Sequence, residues 1–147
     1  DQTWNNGRPT YYRLSDHPDN TDIEVEFGKA NVIKRGRTAT VIAVSTMLDL
    51  VLEACRDEDV TILYYTTLEP FDHETLRQFD VSGRIILCEP HYAGALSRDI
   101  SVALSDREHM IECLGVPRGV DRTYGTKFEK DRLFNFNVVE LRNLIER

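Results

Sequence analysis

Residues 40–55, TVIAVSTMLDLVLEAC, contain the pattern that decides the fold. Residues 40–45 are short, β-branched and almost entirely apolar, which is typical of a strand buried on both faces of a sheet. Thr46 is placed to cap a helix, and Asp49 follows it at the spacing of a capping box. Helical periodicity then puts five apolar side chains on one stripe: Met47, Leu48, Val51, Leu52 and Cys55. The stretch predicts a buried strand followed directly by an amphipathic helix.

The same alternation continues to the end of the chain. Further buried strands are predicted over residues 60–65, 84–88 and 110–114, with helices that begin at Asp72, at Gly94 and after Asn137. Strands that alternate with helices predict an α/β fold, in which a mainly parallel sheet has helices on both faces. Residues 31–45 contain a Gly-bearing turn and predict a hairpin, so we expect one strand to run antiparallel to the others.

Composition limits the possible functions. The 147 residues are 41% apolar and 29% charged, with a net charge of −7. An acidic chain disfavours nucleic acid and anionic membranes as partners. No apolar run approaches the ~20 residues of a membrane span. The three cysteines are far apart, and we expect reduced thiols in a cytoplasmic protein. Neither the cysteines nor His17, His73 and His109 have metal-ligand spacing, so no metal site is predicted.

The first 27 residues differ from the rest. Residues 9–14, PTYYRL, predict a lone strand, and residues 15–22 form a polar linker. A strand cut off from its own sheet is an unusual start for a domain. We therefore expect residues 1–27 to be the end of a preceding domain with its linker, and residues 28–147 to form the α/β domain.

Glu89 and His91 are the candidate catalytic residues, because they follow the carboxyl end of a predicted strand, where open α/β sheets collect ligands. One interpretation is a pair that transfers a proton or contacts substrate. The other is structural: Glu89 lies near a helix N-terminus and Pro90 makes the turn before it. We favour the structural interpretation. The sequence contains no hydrolase, NTPase or dinucleotide-binding motif.

Several segments occur in the order seen in one family. These segments are Gly7–Ser15 (GRPTYYRLS), Phe27–Ala30 (FGKA), Gly36–Arg37 with TVIAVSTM, Leu68–Asp72 (LEPFD, with Glu69 where the family has a basic residue), Glu89-Pro90-His91 with Gly94-Ala95-Leu96, Leu114-Gly115-Val116 and Tyr124-Gly125. Taken together, they resemble the C-terminal domain of transketolase-like, thiamine diphosphate-dependent enzymes.

The resemblance implies a three-layer α/β/α sandwich with about five mixed, mostly parallel strands, which braces a dimer. The parent enzyme would transfer a two-carbon ketol or acyl unit. Thiamine diphosphate and Mg²⁺ would bind in upstream domains or a separate subunit of a homodimer or hetero-oligomer, with no cofactor-binding residue in this chain. The isolated chain is therefore expected to be inactive. The alternatives are a β-subunit domain of a 2-oxo acid dehydrogenase and a stand-alone α/β module that binds a ligand or a protein.

Arg13 is the candidate substrate-binding residue. In sugar-phosphate members of this family, a strand similar to residues 12–15 continues into an arginine that grips the substrate phosphate. Here Asp16 follows that segment, and its carboxylate would repel a phosphate. The strand itself resembles the last strand of the family's pyrimidine-binding domain.

Overall fold

The structure, a computed structural model, describes residues 3, 7, 9–13, 22–119 and 123–147. The predictions for Leu14, Asp16 and His17 fall outside these ranges. Residues 9–13 are described, but they are not part of the sheet. The assignment of residues 1–27 to a preceding domain stays a prediction.

Five strands form one mixed sheet among the described residues. They are β1 (Asn31–Lys34), β2 (Thr40–Val44), β3 (Thr61–Tyr65), β4 (Arg84–Tyr92) and β5 (Met110–Val116), in the spatial order β1-β3-β2-β4-β5. Strands β2 to β5 are parallel to their neighbours, and β1 is antiparallel to β3. The predicted five-stranded, mostly parallel sheet is confirmed.

The predicted hairpin is wrong, because β1 pairs with β3 and not with β2. The segment that joins β1 to β2 crosses the N-terminal end of β3 and does not form a tight turn between neighbouring strands. Gly36 lies so close to the backbone of Val60 that a Cβ atom would be 2.4 Å from it. The N–H groups of Arg37 and Thr38 both donate to the carbonyl of Asp59, at 2.8 and 2.9 Å. Strand β2 therefore enters the sheet on the far side of β3.

Five α-helices lie between and after the strands: α1 (Leu48–Ala54), α2 (His73–Phe79), α3 (Ser97–Ala103), α4 (Lys127–Leu133) and α5 (Val138–Glu146). Two predicted caps are confirmed, since the side chains of Asp72 and Asn137 accept from N–H groups in the first turns of α2 and α5. The predicted cap at Thr46 is wrong. A 3-10 turn begins at Ser45, which has a φ of 49°, and α1 follows it without a side-chain cap.

The strands alternate between two apolar cores, which makes the molecule three layers deep. Val41, Ile62 and Tyr64 face the layer of α1 and α5. Ile42 and Tyr65 face the layer of α2 and α3. Each fully buried Ile or Leu contributes about 1.5–3 kcal/mol of transfer free energy, so the two cores dominate stability. Tyr64 and Tyr65 are both core residues on opposite faces, as predicted.

Strand β4 is four residues longer than predicted. Its pairing with β5 is regular up to Cys88, breaks, and resumes between Tyr92 and Val116. Pro90 therefore lies in a strand, and the predicted helix turn at Pro90 is wrong. The helix expected from Gly94 begins at Ser97. Within the described ranges, no helix is long and apolar enough to cross a bilayer.

Candidate functional site

Glu89 lies in the irregular segment of β4 and points into the protein, with no exposed surface. Its carboxylate accepts three hydrogen bonds from the backbone of the following loop. The N–H groups of Gly94, Ala95 and Leu96 donate at 2.6, 3.2 and 3.0 Å. Burial raises the pKa of Glu89, and the three backbone hydrogen bonds oppose that shift. Both carboxylate oxygens are engaged by the chain itself.

His91 lies two residues further along β4, with Nε2 3.5 Å from Oε1 of Glu89. Its side chain keeps 21% of its surface exposed, so it is the member of the pair that solvent reaches. Burial lowers the pKa of His91 below its ordinary value of 6.5, and the charge of Arg13 lowers it further. The imidazole is therefore neutral at pH 7, and its contact with Glu89 is not an ion pair.

Arg13 is brought to the same place, although it is 77 positions away from Pro90 in sequence. Its Nη2 donates to the carbonyl of Pro90 at 3.4 Å. The structure thus places all three candidate site residues around the end of β4. Asp16, which was expected to repel a phosphate here, lies outside the described residues.

This arrangement favours the structural interpretation of Glu89. The buried carboxylate accepts three backbone N–H groups, two on Oε2 and one on Oε1, and the position that remains on Oε1 lies on the atom that is 3.5 Å from Nε2 of His91. Its main partners are therefore the backbone groups of the loop before α3. His91 has the exposure that contact with a ligand requires. The role of each candidate residue stays a prediction.

A second feature, which the sequence did not predict, is a cleft of about 730 Å³ beside Arg13. Thr46, Pro90 and α4 contribute to its lining. Lys127 and Lys130 add positive charge, whereas Met47, Leu50, Phe134 and Phe136 form its apolar part. The sequence pattern that could have identified α4 is Thr126 with Glu129, which form a reciprocal capping box at the start of this helix.

Among the described residues, His73 and His109 make contacts with residues that are near them in sequence. His109 has Nδ1 3.0 Å from the carbonyl of Arg107 and Nε2 3.1 Å from the hydroxyl of Ser101. His73 contacts the ring of Phe71 edge-on. The three cysteines are free thiols; Cys55 and Cys88 are buried, whereas Cys113 is partly exposed. In the described part of the chain, no three His, Cys, Asp or Glu side chains are grouped so that they could hold a metal ion.

The family of the chain follows from its match to a model of the transketolase C-terminal domain, which covers residues 28–135. The chain belongs to the transketolase C-terminal domain family. The match includes the sheet, the end of β4 and α4, and it ends before α5. Membership agrees with the resemblance that the sequence indicates.

An uncharacterized 33.6 kDa protein in the fasciation locus of Rhodococcoides fascians is 35% identical over 139 residues, which cover 92% of this chain and 45% of that protein. This chain therefore spans less than half the length of that curated relative.

Solved structures of transketolases share the fold of this domain. A split-gene transketolase, described as an inactive β4 tetramer, has a TM-score of 0.74 at 19% identity, over 88% of this chain and 45% of that one. Transketolase from Campylobacter jejuni has a TM-score of 0.61 at 18% identity, over 84% of this chain and 20% of that one. At this identity, the likeness shows the fold alone.

Proposed function

We propose that this chain is the C-terminal domain of a thiamine diphosphate-dependent enzyme that transfers a two-carbon ketol or acyl unit. The family match over residues 28–135 is the observation that carries the proposal. In this role the domain packs against the cofactor-binding part and braces the subunits. The similar split-gene transketolase chain is described as an inactive tetramer, which suits a piece that needs a partner.

The cofactor and its cation are assigned to other domains or another subunit. Among the described residues, no three His, Cys, Asp or Glu side chains are grouped as metal ligands. The buried acids Asp72 and Glu89 have other roles: Asp72 caps α2, and Glu89 binds a loop. The cofactor would supply the carbanion chemistry.

Exposed aromatic side chains support a packing role. Tyr11, Tyr92, Tyr124 and Phe128 are 89%, 51%, 104% and 83% exposed. Aromatic residues are enriched at protein interfaces, because they bury a large area at a small cost in conformational entropy. We infer that these side chains meet the upstream domains or a partner subunit, in a homodimer or hetero-oligomer. The three free thiols suit a reducing compartment and support a cytoplasmic location.

The test is reconstitution of activity. The 147-residue chain is assayed alone and together with the upstream region of its gene, or with a neighbouring thiamine-binding subunit. One arm uses a ketose donor with an aldehyde acceptor, and the other uses a 2-oxo acid. We expect turnover that depends on thiamine diphosphate only in the combined sample. Turnover of the ketose donor would indicate a transketolase, and turnover of the 2-oxo acid would indicate a 2-oxo acid dehydrogenase. Turnover by this chain alone would contradict the proposal.

A matched pair of variants tests the packing surface. Tyr124→Ser combined with Phe128→Ser should weaken association with the upstream part, since both side chains are almost fully exposed here. Val81→Ser removes an apolar side chain that is 66% exposed near the start of β4, at the opposite end of the sheet, and should leave association unchanged. Equal effects of the two changes in a pull-down titration would place the interface elsewhere.

A further inference from the structure

Strand β5 lies at one edge of the sheet, because it follows β4 at the end of the strand order. The N–H of Met110 donates to the carbonyl of Gly83 at 2.8 Å, just before β4 begins. At the other end of β5, the carbonyl of Val116 accepts from the N–H of Ala93 at 2.9 Å. The backbone groups of successive residues in a strand point to alternate sides, so the even-numbered residues of β5 face β4.

The odd-numbered residues of β5 point their N–H and C=O groups away from the sheet. Among the residues that the structure describes, no hydrogen bond to these outward groups is found. A row of unpaired backbone groups on an edge strand is where a further strand can add to a sheet. The residues concerned are Ile111, Cys113 and Gly115.

The two edges of the sheet differ in how they are protected. Strand β1 has only four residues, and its register with β3 shifts between Val32 and Lys34. The side chain of Asn31 in this strand also donates to the carbonyl of Glu24 at 2.9 Å. Short strands and irregular pairing are common ways of protecting an edge. Strand β5, with the sequence MIECLGV, has seven residues, one charge and neither proline nor lysine, so it lacks these protections.

The sequence of β5 is complementary to itself in one antiparallel register. A two-fold axis at Cys113 places Ile111 opposite Gly115 of a second copy. The end residues Met110 and Val116 also meet, so each of the seven residues has a residue opposite it. The two Cys113 residues exchange a pair of hydrogen bonds, and each Ile111–Gly115 pair does the same, which gives about six hydrogen bonds across the axis.

Charge and hydrogen bonding favour this register over its neighbours. Glu112 carries the charge of β5, and in this register it lies opposite Leu114 of the second copy. An axis at Glu112 would place two carboxylates directly opposite each other, which destabilises a strand pair. An axis at Leu114 would place Pro117, which has no N–H to donate, opposite Ile111.

We propose that β5 pairs with β5 of a second copy of this chain, antiparallel about a two-fold axis at Cys113, so that two sheets become one. The second copy fits this edge because the edge matches itself in length, in hydrogen bonding and in the position of its charge. Two edges of this length bury less than the roughly 1,200 Å² of a standard stable interface, so we expect a dissociation constant on the order of 10–100 μM. The proposal does not depend on thiamine chemistry, so it and the proposed function fail separately.

The experiment combines sedimentation equilibrium with NMR measurement of amide exchange on the 147-residue chain. Both are run at concentrations about tenfold below and about tenfold above the measured dissociation constant. We expect the amides of Ile111, Cys113 and Gly115 to exchange about fourfold more slowly at the higher concentration, because most chains are then paired. The amides of Glu112 and Leu114 already face β4, and their exchange should not depend on concentration.

Two variants at one position separate the backbone from the side chain. Cys113→Pro removes an outward N–H, and proline is tolerated on an edge strand where the N–H faces outward. It should weaken dimerisation by at least about tenfold, since the axis loses its central hydrogen bonds. Cys113→Ala keeps the N–H and should change dimerisation less than about threefold. Amide spectra establish that each variant is folded, and the exchange pattern of the wild type tests the pairing if Cys113→Pro does not fold.

Four results would overturn the proposal. The first is a chain that stays monomeric at millimolar concentration. The second is slower exchange that is spread equally over odd-numbered and even-numbered residues of β5. The third is equal weakening by folded Cys113→Pro and by Cys113→Ala, which would show a contact made by the side chain. The fourth is protection of the outward amides only after the upstream part of the enzyme is added, which would assign this edge to a different strand.

Discussion

Replacement of Arg84 by methionine tests how the last helix is held to the sheet. Arg84 begins β4, and its side chain is 20% exposed. Nη1 donates to the carbonyl of Ile145 at 2.7 Å, and Nη2 donates to the carbonyl of Leu144. Nη2 also lies 3.2 Å from the carboxylate of Glu112. One guanidinium thus joins β4, β5 and the final turn of α5.

The expected cost follows from these three contacts. A hydrogen bond that involves a charged group contributes about 1.5–3 kcal/mol. We take the lower value for each carbonyl, because carbonyls in a last helical turn can bind water once the arginine is gone. The partly exposed pair with Glu112 adds less than about 1 kcal/mol. Methionine keeps much of the aliphatic packing, so Arg84→Met should lower the free energy of unfolding by about 3 kcal/mol.

The assay is urea unfolding, with Arg37→Met as the matched control. Arg37 makes an ion pair with Asp59 at 2.8 Å, but its side chain is 87% exposed, and its loss should cost less than about 1 kcal/mol. Amide exchange should accelerate in α5 for Arg84→Met and not for the control. Equal losses in the two variants, or an Arg84 effect under about 1 kcal/mol, would refute the assignment of this anchoring role.

Three further predictions can be checked by urea unfolding or by the reactivity of a thiol. Glu89→Gln keeps one oxygen and should cost about 1–3 kcal/mol, because at least one backbone N–H loses its acceptor. Burial raises the pKa of Glu89, so its contribution to stability is present below the ordinary pKa of 4.5 and is lost as pH rises through the raised value. The difference in free energy of unfolding between wild type and Glu89→Gln should therefore become smaller as pH rises. A difference that becomes larger with pH would contradict this sign. Gly36→Ala should destabilise by about 1–3 kcal/mol, since the new Cβ would lie 2.4 Å from backbone, whereas Gly119→Ala meets nothing within 4 Å and should be neutral in the same melts. Burial raises the pKa of Cys55 to about 11, so its thiol should react with a disulfide reagent far more slowly in the native chain than in urea; equal rates would show that the site is open.

The sequence predicts elements well wherever the deciding contacts are local. Residues 40–44 form a strand because they are β-branched and apolar, and both of their faces are buried. Asp72 and Asn137 cap helices within three residues of themselves. The partner of β1 depends instead on where the chain passes β3, which is a contact between Gly36 and Val60. No local pattern encodes that contact, so the sequence predicts a hairpin where β1 in fact pairs with β3.

The same distinction applies to the site. Glu89 and His91 are two positions apart, and their closeness could be predicted from the strand that carries them. The cleft could not, because its lining combines Arg13, the turn after β2 and α4, which are far apart in sequence. Arg13 reaches Pro90 through a long-range contact. The sequence therefore predicts that Glu89 and His91 lie close together, but it does not predict the surface around them.

The irregular end of β4 explains why a carboxylate is buried there. Backbones approach closely at this point, since a Cβ on Gly115 would lie 2.7 Å from Cα of Ala93. The loop that follows Ala93 turns away from the sheet, and of its next three N–H groups that of Ala95 also donates to the carbonyl of Tyr92, at 3.2 Å. Glu89 accepts all three, and this offsets part of the cost of burying its charge. We infer that Glu89 serves to hold this loop, and that proton transfer to a ligand here would fall to His91, whose side chain is 21% exposed whereas that of Glu89 is fully buried.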